Sequence, residues 1–204
     1  MLGIYNYTVI LTYIGMLSSF VGITFAIDGK LTAALMCLIL SGACDMFDGK
    51  IAATKQRTAE EKHFGIEIDS LSDLICFGIL PAVILYIQHP GSITFVVCSG
   101  LYALAALIRL AYFNTDEAAR QGQTSSPRHE YRGLPVTSSA LIIPFSVAAV
   151  RLFSLPSFII ALVMLLMAAA FLAPFRLKKP HNTGLVILAL LGLAEIAFVL
   201  ITAG

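Results

Sequence analysis

Seven apolar stretches dominate the chain, each close to the ~20 residues that a helix needs to cross the hydrocarbon core of a bilayer. They fall at roughly 6–27, 31–53, 67–88, 92–113, 134–153, 157–175 and 183–203. Hydrophobic residues make up 58% of the 204 positions and charged residues 12%, proportions far from those of an ordinary soluble domain. The expectation is an all-α integral membrane protein, one domain over residues 1–204, built as a single bundle of about seven transmembrane helices. The opening run MLGIYNYTVILTYIG lacks the basic flank of a signal peptide, so the first apolar stretch is expected to remain as a helix. The four cysteines all lie in apolar segments without a CxxC, as reduced packing residues do.

Basic residues orient the bundle. With a cytoplasmic N-terminus, Lys50, Lys55, Arg57, Lys62, Arg109, Arg120, Arg128, Arg132, Arg176, Lys178 and Lys179 fall at one side, and only Lys30 and Arg151 at the other. Eleven of thirteen on one side is a positive-inside signal, which makes the chain a multi-pass protein of the cytoplasmic membrane. A net charge of +1 selects no partner by itself. Membrane lipids are expected around the helices, no nucleic acid is expected, and a homodimer is compatible with the pattern. The longest polar stretch, residues 114–133, reads as a cytoplasmic loop rich in Gly, Ser and Pro.

Against this apolar background stand four aspartates, spaced Asp45-x2-Asp48-Gly49-x2-Ala52-x12-Gly65-x3-Asp69-x3-Asp73. Asp45 and Asp48 are three apart and Asp69 and Asp73 four apart, so each pair projects from one face of a helix. The first pair ends the second stretch and the second pair begins the third, which puts both near the same interface, opening to the cytoplasm. An ionised carboxylate in mid-membrane costs about 2.5–3.5 kcal/mol on insertion scales, so four of them call for a compensating partner. A divalent metal with oxygen ligands, Mg2+ or Mn2+ before Zn2+, suits four carboxylates without an adjacent His or Cys. Paired ions of this kind serve phosphoryl chemistry, and Gly49, Ala52 and Gly65 would leave room beside the carboxylates for a bulky ligand. Each residue also has an ordinary reading: interfacial acids reaching water, a helix-start Asp69, small residues that let helices pack.

The aspartate pattern resembles the signature of the CDP-alcohol phosphotransferases, integral membrane enzymes that move a substituted phosphoryl group from a CDP-linked donor to an alcohol. The run IDSLSDLICFGILPA at Ile68 to Ala82, IRLAYFN at Ile108 to Asn114 and YRGLPVTSSA at Tyr131 to Ala140 are most similar to the small integral-membrane phosphatidylserine synthases. The resemblance covers about the first 150 residues and implies a six-helix core, with one or two helices added here. It implies CDP-diacylglycerol as donor, L-serine as acceptor, and phosphatidylserine and CMP as products. Asp45, Asp48 and Asp69 would then hold the metal that grips the diphosphate. Asp73 would complete a second metal site and act as the catalytic base, while Gly49, Ala52 and Gly65 border the nucleotide. Arg109, Asn114 and Arg132 are the candidates for binding lipid phosphate or serine. The chain departs from the signature at Ala53, where the family usually has Arg, and Lys55 and Arg57 are the nearest substitutes.

Other readings stay open. Glycerol phosphate or inositol phosphate could be the acceptor, given an additional cationic pocket. The acids could line a cation or proton path in a small transporter, although a transporter site is expected nearer the midplane. A degenerate binding protein is favoured only by Ala53. Glu195 is an isolated acid in the seventh stretch, and His63 and His129 read as solvated.

Overall fold

The turn Asp28-Gly29-Lys30 folds the first two helices back on each other, because Gly29 adopts φ +74° and the Lys30 amide reaches the Phe25 carbonyl at 2.8 Å. A computed structural model describes residues 3–121, 130–178 and 182–202. Its helices are α1 (Ile10–Ile27), α2 (Leu31–Ala52), α3 (Ala59–Asp73), α4 (Leu80–Tyr86), α5 (Ile93–Gln121), α6 (Ser139–Leu152), α7 (Phe158–Leu172) and α8 (Asn182–Ile201). A π-helical segment, Leu74–Ile79, fuses α3 and α4 into one rod from Ala59 to Tyr86. Four rods, Tyr7–Ile27, Leu31–Ala52, Ala59–Tyr86 and Ile93–Arg120, are long and apolar enough to cross a membrane, and three shorter apolar helices accompany them. The protein is thus an all-helical, multi-span membrane bundle, as the seven stretches implied.

Small residues set how closely the rods approach. A side chain on Gly42 would overlap the Cβ of Ala140, so α2 and α6 meet at nearly backbone contact. Hydroxyl groups stitch α1 to α2 at the same level: Ser41 Oγ donates to the Gly15 carbonyl at 2.8 Å and shares a 2.8 Å bond with Ser19. Farther along, Tyr102, Phe77, Leu35, Leu38, Ile143 and Met164 fill the core between the rods. On α5 the inner face carries Cys98, Tyr102, Ala105, Ala106 and Leu110, while Val97, Leu101, Leu104 and Ile108 are exposed as a lipid-facing stripe.

The π segment has a local cause. Pro81 has no amide hydrogen and cannot return a bond to Phe77, and the Leu80 amide reaches back five residues to Ile75. The Phe77 carbonyl left over is taken by the Tyr102 hydroxyl at 3.0 Å and the Ser139 hydroxyl at 3.3 Å. The rod that carries Asp69 and Asp73 is therefore pinned to α5 and to the start of α6 immediately beyond the second aspartate.

Two expectations need correction. The third helix begins at Ala59 rather than near residue 67, because Thr58 caps it: the Thr58 hydroxyl accepts from the Glu61 amide at 3.2 Å and Glu61 accepts from the Thr58 amide at 3.0 Å. The loop expected over residues 114–133 is shorter, since α5 continues through Gln121. There Thr115 bonds back to the Ala111 carbonyl and Arg120 pairs with Glu117 one turn away. Beyond it, β1 (Glu130–Arg132) pairs antiparallel with β2 (Arg176–Lys178), a small ladder the sequence reading had as loop.

Replacing Gly42 with Leu should force α2 and α6 apart and cost about 1–3 kcal/mol, read as a lower melting temperature in detergent. Gly100, with open space where its Cβ would lie, should accept Leu without loss. Equal tolerance at the two positions would contradict the close α2–α6 approach.

Candidate active site

Asp45 and Asp48 lie in the last two turns of α2, and Asp69 and Asp73 in the last two of α3. The helical rise sets each pair one turn apart on its rod, and the antiparallel course of α1 and α2 with the third rod alongside brings the two pairs face to face. One carboxylate oxygen from each of Asp45, Asp48 and Asp69 lies within 4.8 Å of the other two. Asp73 completes the group: its carboxyl is in side-chain contact with that of Asp45, and Asp48 with Asp69. All four are partly buried and line one small concavity.

Helix α1 closes the cluster from behind. Thr12 Oγ1 donates to Asp48 Oδ2 at 3.2 Å, and the Thr12 carbonyl accepts from Ser72 Oγ, also at 3.2 Å. A single α1 residue thereby bridges the two acid-bearing rods. Sequence reasoning passed over Thr12 and Ser72; a hydroxyl at that depth in an apolar stretch was the signal, but Thr and Ser satisfy themselves on their own helices so often that it selects nothing alone.

No cationic side chain among the described residues is paired with these carboxylates. Among the described residues the ion pairs are Lys30 with Asp28, Lys55 with Glu61 and Arg120 with Glu117, and none involves the four aspartates. Carboxyls in mutual contact need a cation or a shared proton between them, and Asp48 sits in the last turn of α2, where the helix dipole disfavours a negative charge. Three converging hard oxygen donors with no competing His or thiolate suit a Mg2+ or Mn2+ ion.

The small residues border this cluster unequally. Beside Gly49 the space where a Cβ would lie is empty, and Ala52 is half-buried in the next turn. At Gly65, one turn before Asp69, a guanidinium nitrogen of Arg57 stands 3.2 Å from the position a Cβ would take. Lys55 is engaged elsewhere, 2.6 Å from Glu61, which also accepts from Asn6 at 3.1 Å.

The remaining candidates are spread along α5 and β1. Asn114 packs against the neighbouring face of α3, its side-chain oxygen accepting from Ser70 Oγ at 2.6 Å and its amide nitrogen 3.5 Å from Glu67 Oε2. Arg109 is buried at 7% exposure, its Nε donating to the Leu134 carbonyl at 2.9 Å and its guanidinium 5.5 Å from the Phe113 ring. Arg132 is exposed on β1 and donates to the Tyr112 hydroxyl at 2.9 Å. These contacts of the two arginines run to α5 and to the segment after the loop, not to the aspartates. Glu195 is buried on α8, away from the cluster; the Phe145 backbone approaches it without reaching hydrogen-bond geometry. His63 is exposed, and Arg128, His129 and Lys179 lie outside the described residues.

If a cation belongs between the rods, Mg2+ should raise the melting temperature, contributing about 2.7 kcal/mol at a hundred times its dissociation constant. Asp48→Asn and Asp69→Asn should each melt higher than the parent protein in chelator, by relief of repulsion, and lose most of the Mg2+ shift. Variants that keep the full shift would argue against a metal at this place.

Comparison with known proteins places this geometry. The family model described as CDP-alcohol phosphatidyltransferase matches residues 5–175. The chain is 32% identical over 134 residues to the CDP-diacylglycerol–serine O-phosphatidyltransferase of Helicobacter pylori, covering 64% of this chain and 51% of that one. It is 33% identical over 143 residues to the protein of the same name in Saccharomyces cerevisiae, with coverages of 64% and 51%. Against the archaetidylserine synthase of Methanothermobacter thermautotrophicus it is 30% identical over 130 residues, with coverages of 62% and 51%. The chain spans about half the length of the curated relatives it matches.

Proposed function

The chain belongs to the CDP-alcohol phosphatidyltransferase family, and on that premise we propose that it transfers the phosphatidyl group of CDP-diacylglycerol to the hydroxyl of L-serine, releasing phosphatidylserine and CMP. The observation that carries the reading is the meeting of Asp45 and Asp48, near the end of α2, with Asp69 and Asp73, midway along the Ala59–Tyr86 rod. Donor and acceptor are supported by the names of the Helicobacter and Saccharomyces relatives.

The site's own residues divide the work. Asp45, Asp48 and Asp69 would hold a divalent ion, Mg2+ or Mn2+, with Asp73 completing a second position. Such ions, when bound, offset the charge of a diphosphate and polarise its oxygens. Thr12 fixes the Asp48 carboxylate by its hydrogen bond, so the cluster is shaped before substrate arrives. Gly49 and Ala52 leave the open side for the nucleotide. Asp73 lies one turn deeper than Asp69 and accepts the proton of the serine hydroxyl. The seryl oxygen bonds to the phosphorus that carries the diacylglycerol as the bond from that phosphorus to the CMP oxygen breaks, and CMP departs with the electron pair. Transfer is direct, since no activated nucleophile adjoins the cluster among the described residues. Asn114, bonded to Ser70 on the rod that carries Asp69, is the candidate to meet the acceptor, whereas Arg109 and Arg132 brace the chain after the loop.

A lipid donor keeps its tails in the bilayer and its nucleotide in water, so the reacting diphosphate belongs at an interface. We place that interface on the cytoplasmic face of the cell membrane, because the sequence assigns eleven of the thirteen basic residues to the side on which the aspartate-bearing stretches meet.

Purified protein given CDP-diacylglycerol, Mg2+ or Mn2+ and a panel of alcohols should release CMP with serine and not with glycerol phosphate or inositol phosphate. Asp73→Asn should lower that rate at least ~100-fold, the lower range for loss of a general base. Release driven by another acceptor would correct the substrate, and a phosphatidylated protein trapped without serine would overturn direct transfer.

A further inference from the structure

The chain between α2 and α3 turns sharply, and its cationic side chains come to different ends. Lys55 is held by Glu61, whose carboxylate also takes the Asn6 amide and the Thr58 backbone, so its charge is spent on closing the turn. Ala53, at the end of α2, is exposed and offers no cation. Arg57 alone folds inward. It precedes the Thr58 cap, is half-buried, and lays its guanidinium along α3 against Gly65, which has no side chain to hold it off.

Gly65 and Asp69 are four apart on α3 and share a face, about 5–6 Å between successive side-chain positions. The guanidinium therefore stands about one turn outside Asp69 on the same face of α3. It makes no hydrogen bond or ion pair among the described residues, although the cluster lies a turn away. A half-buried arginine with no such partner among the described residues suits an anion with paired oxygens, and the planar fork of Arg matches phosphate in two bonds at once.

We propose that Arg57, one turn outside Asp69, binds the diphosphate of the CDP-linked donor as the cation that recognises the nucleotide end of the site. The diphosphate then lies between a carboxylate-held cation position and a guanidinium. This supplies the positive group that Ala53 lacks, and it assigns Lys55 to structure. The assignment rests on the family reading for the donor's identity, but anion recognition by Arg57 is measurable without turnover.

Calorimetric titration of the purified protein with CDP, CMP and cytidine in the presence of Mg2+ tests it. Arg57→Ala should weaken CDP binding at least tenfold, leave the weak cytidine binding within twofold, and melt within a few degrees of the parent, since Arg57 makes no hydrogen bond or ion pair among the described residues. Arg57→Lys should recover part of the loss, and Lys62→Ala, an exposed neighbour, should bind CDP as the parent does. In turnover, Arg57→Ala should raise the KM for CDP-diacylglycerol about tenfold and leave the KM for serine unchanged. Unchanged CDP affinity in Arg57→Ala, or an equal loss for cytidine, would overturn the assignment. A parent protein that binds CDP through Arg57 yet releases no CMP with any acceptor would instead retract the proposed reaction and leave the anion site standing.

Discussion

Two unit charges about 4 Å apart repel by about 4 kcal/mol at an effective dielectric of about 20, and the cavity between α2 and α3 gathers four carboxylates at such range. The protein brings no cationic side chain to them among the described residues. Repulsion of this size would drive the two rods apart unless packing elsewhere held them and something positive entered between them. The first of these conditions is visible in the packing. The α1–α2 pair is drawn tight by the Ser19, Ser41 and Gly15 contacts, and Thr12 then ties α1 to both acid-bearing rods. On the far side the π segment after Asp73 frees the Phe77 carbonyl, and Tyr102 and Ser139 use it to lock the third rod to α5 and α6.

Rigidity of this kind is what phosphoryl transfer asks of a protein. The reacting groups need fixed positions and a field that offsets charge as it develops, more than they need covalent participation. The acidic pocket supplies fixed positions; on the proposed reading, a recruited cation and the guanidinium of Arg57 would supply the field, and an anionic donor would reconcile the two.

Much of this was legible in the sequence, for reasons of physics. Charges in apolar stretches are costly enough that Asp45, Asp48, Asp69 and Asp73 announce themselves, and helical periodicity alone pairs them. The helices were legible because length in a bilayer is prescribed. What escaped was whatever depends on partners distant in the chain or on polar residues that favour helix. Asn114 to Gln121 read as loop by composition, yet its residues tolerate helix and gain an i,i+3 ion pair there. The β1–β2 ladder joins segments too short to show a period. Inner and outer faces of α5 are both apolar, and they differ in size and shape, with Ala, Cys and Tyr inside and Val, Leu and Ile outside, a distinction hydropathy does not register. Arg57 was one of two equivalent candidates until the turn showed Lys55 bound to Glu61.

The central claim is that the two aspartate pairs form one cation-binding clamp, and anomalous diffraction from crystals grown with Mn2+ tests it most directly. The expected result is anomalous density bounded by the carboxylates of Asp45, Asp48 and Asp69, with Asp73 beside it, absent from crystals of Asp48→Asn. Manganese bound elsewhere, with the four carboxylates turned away from one another, would contradict it.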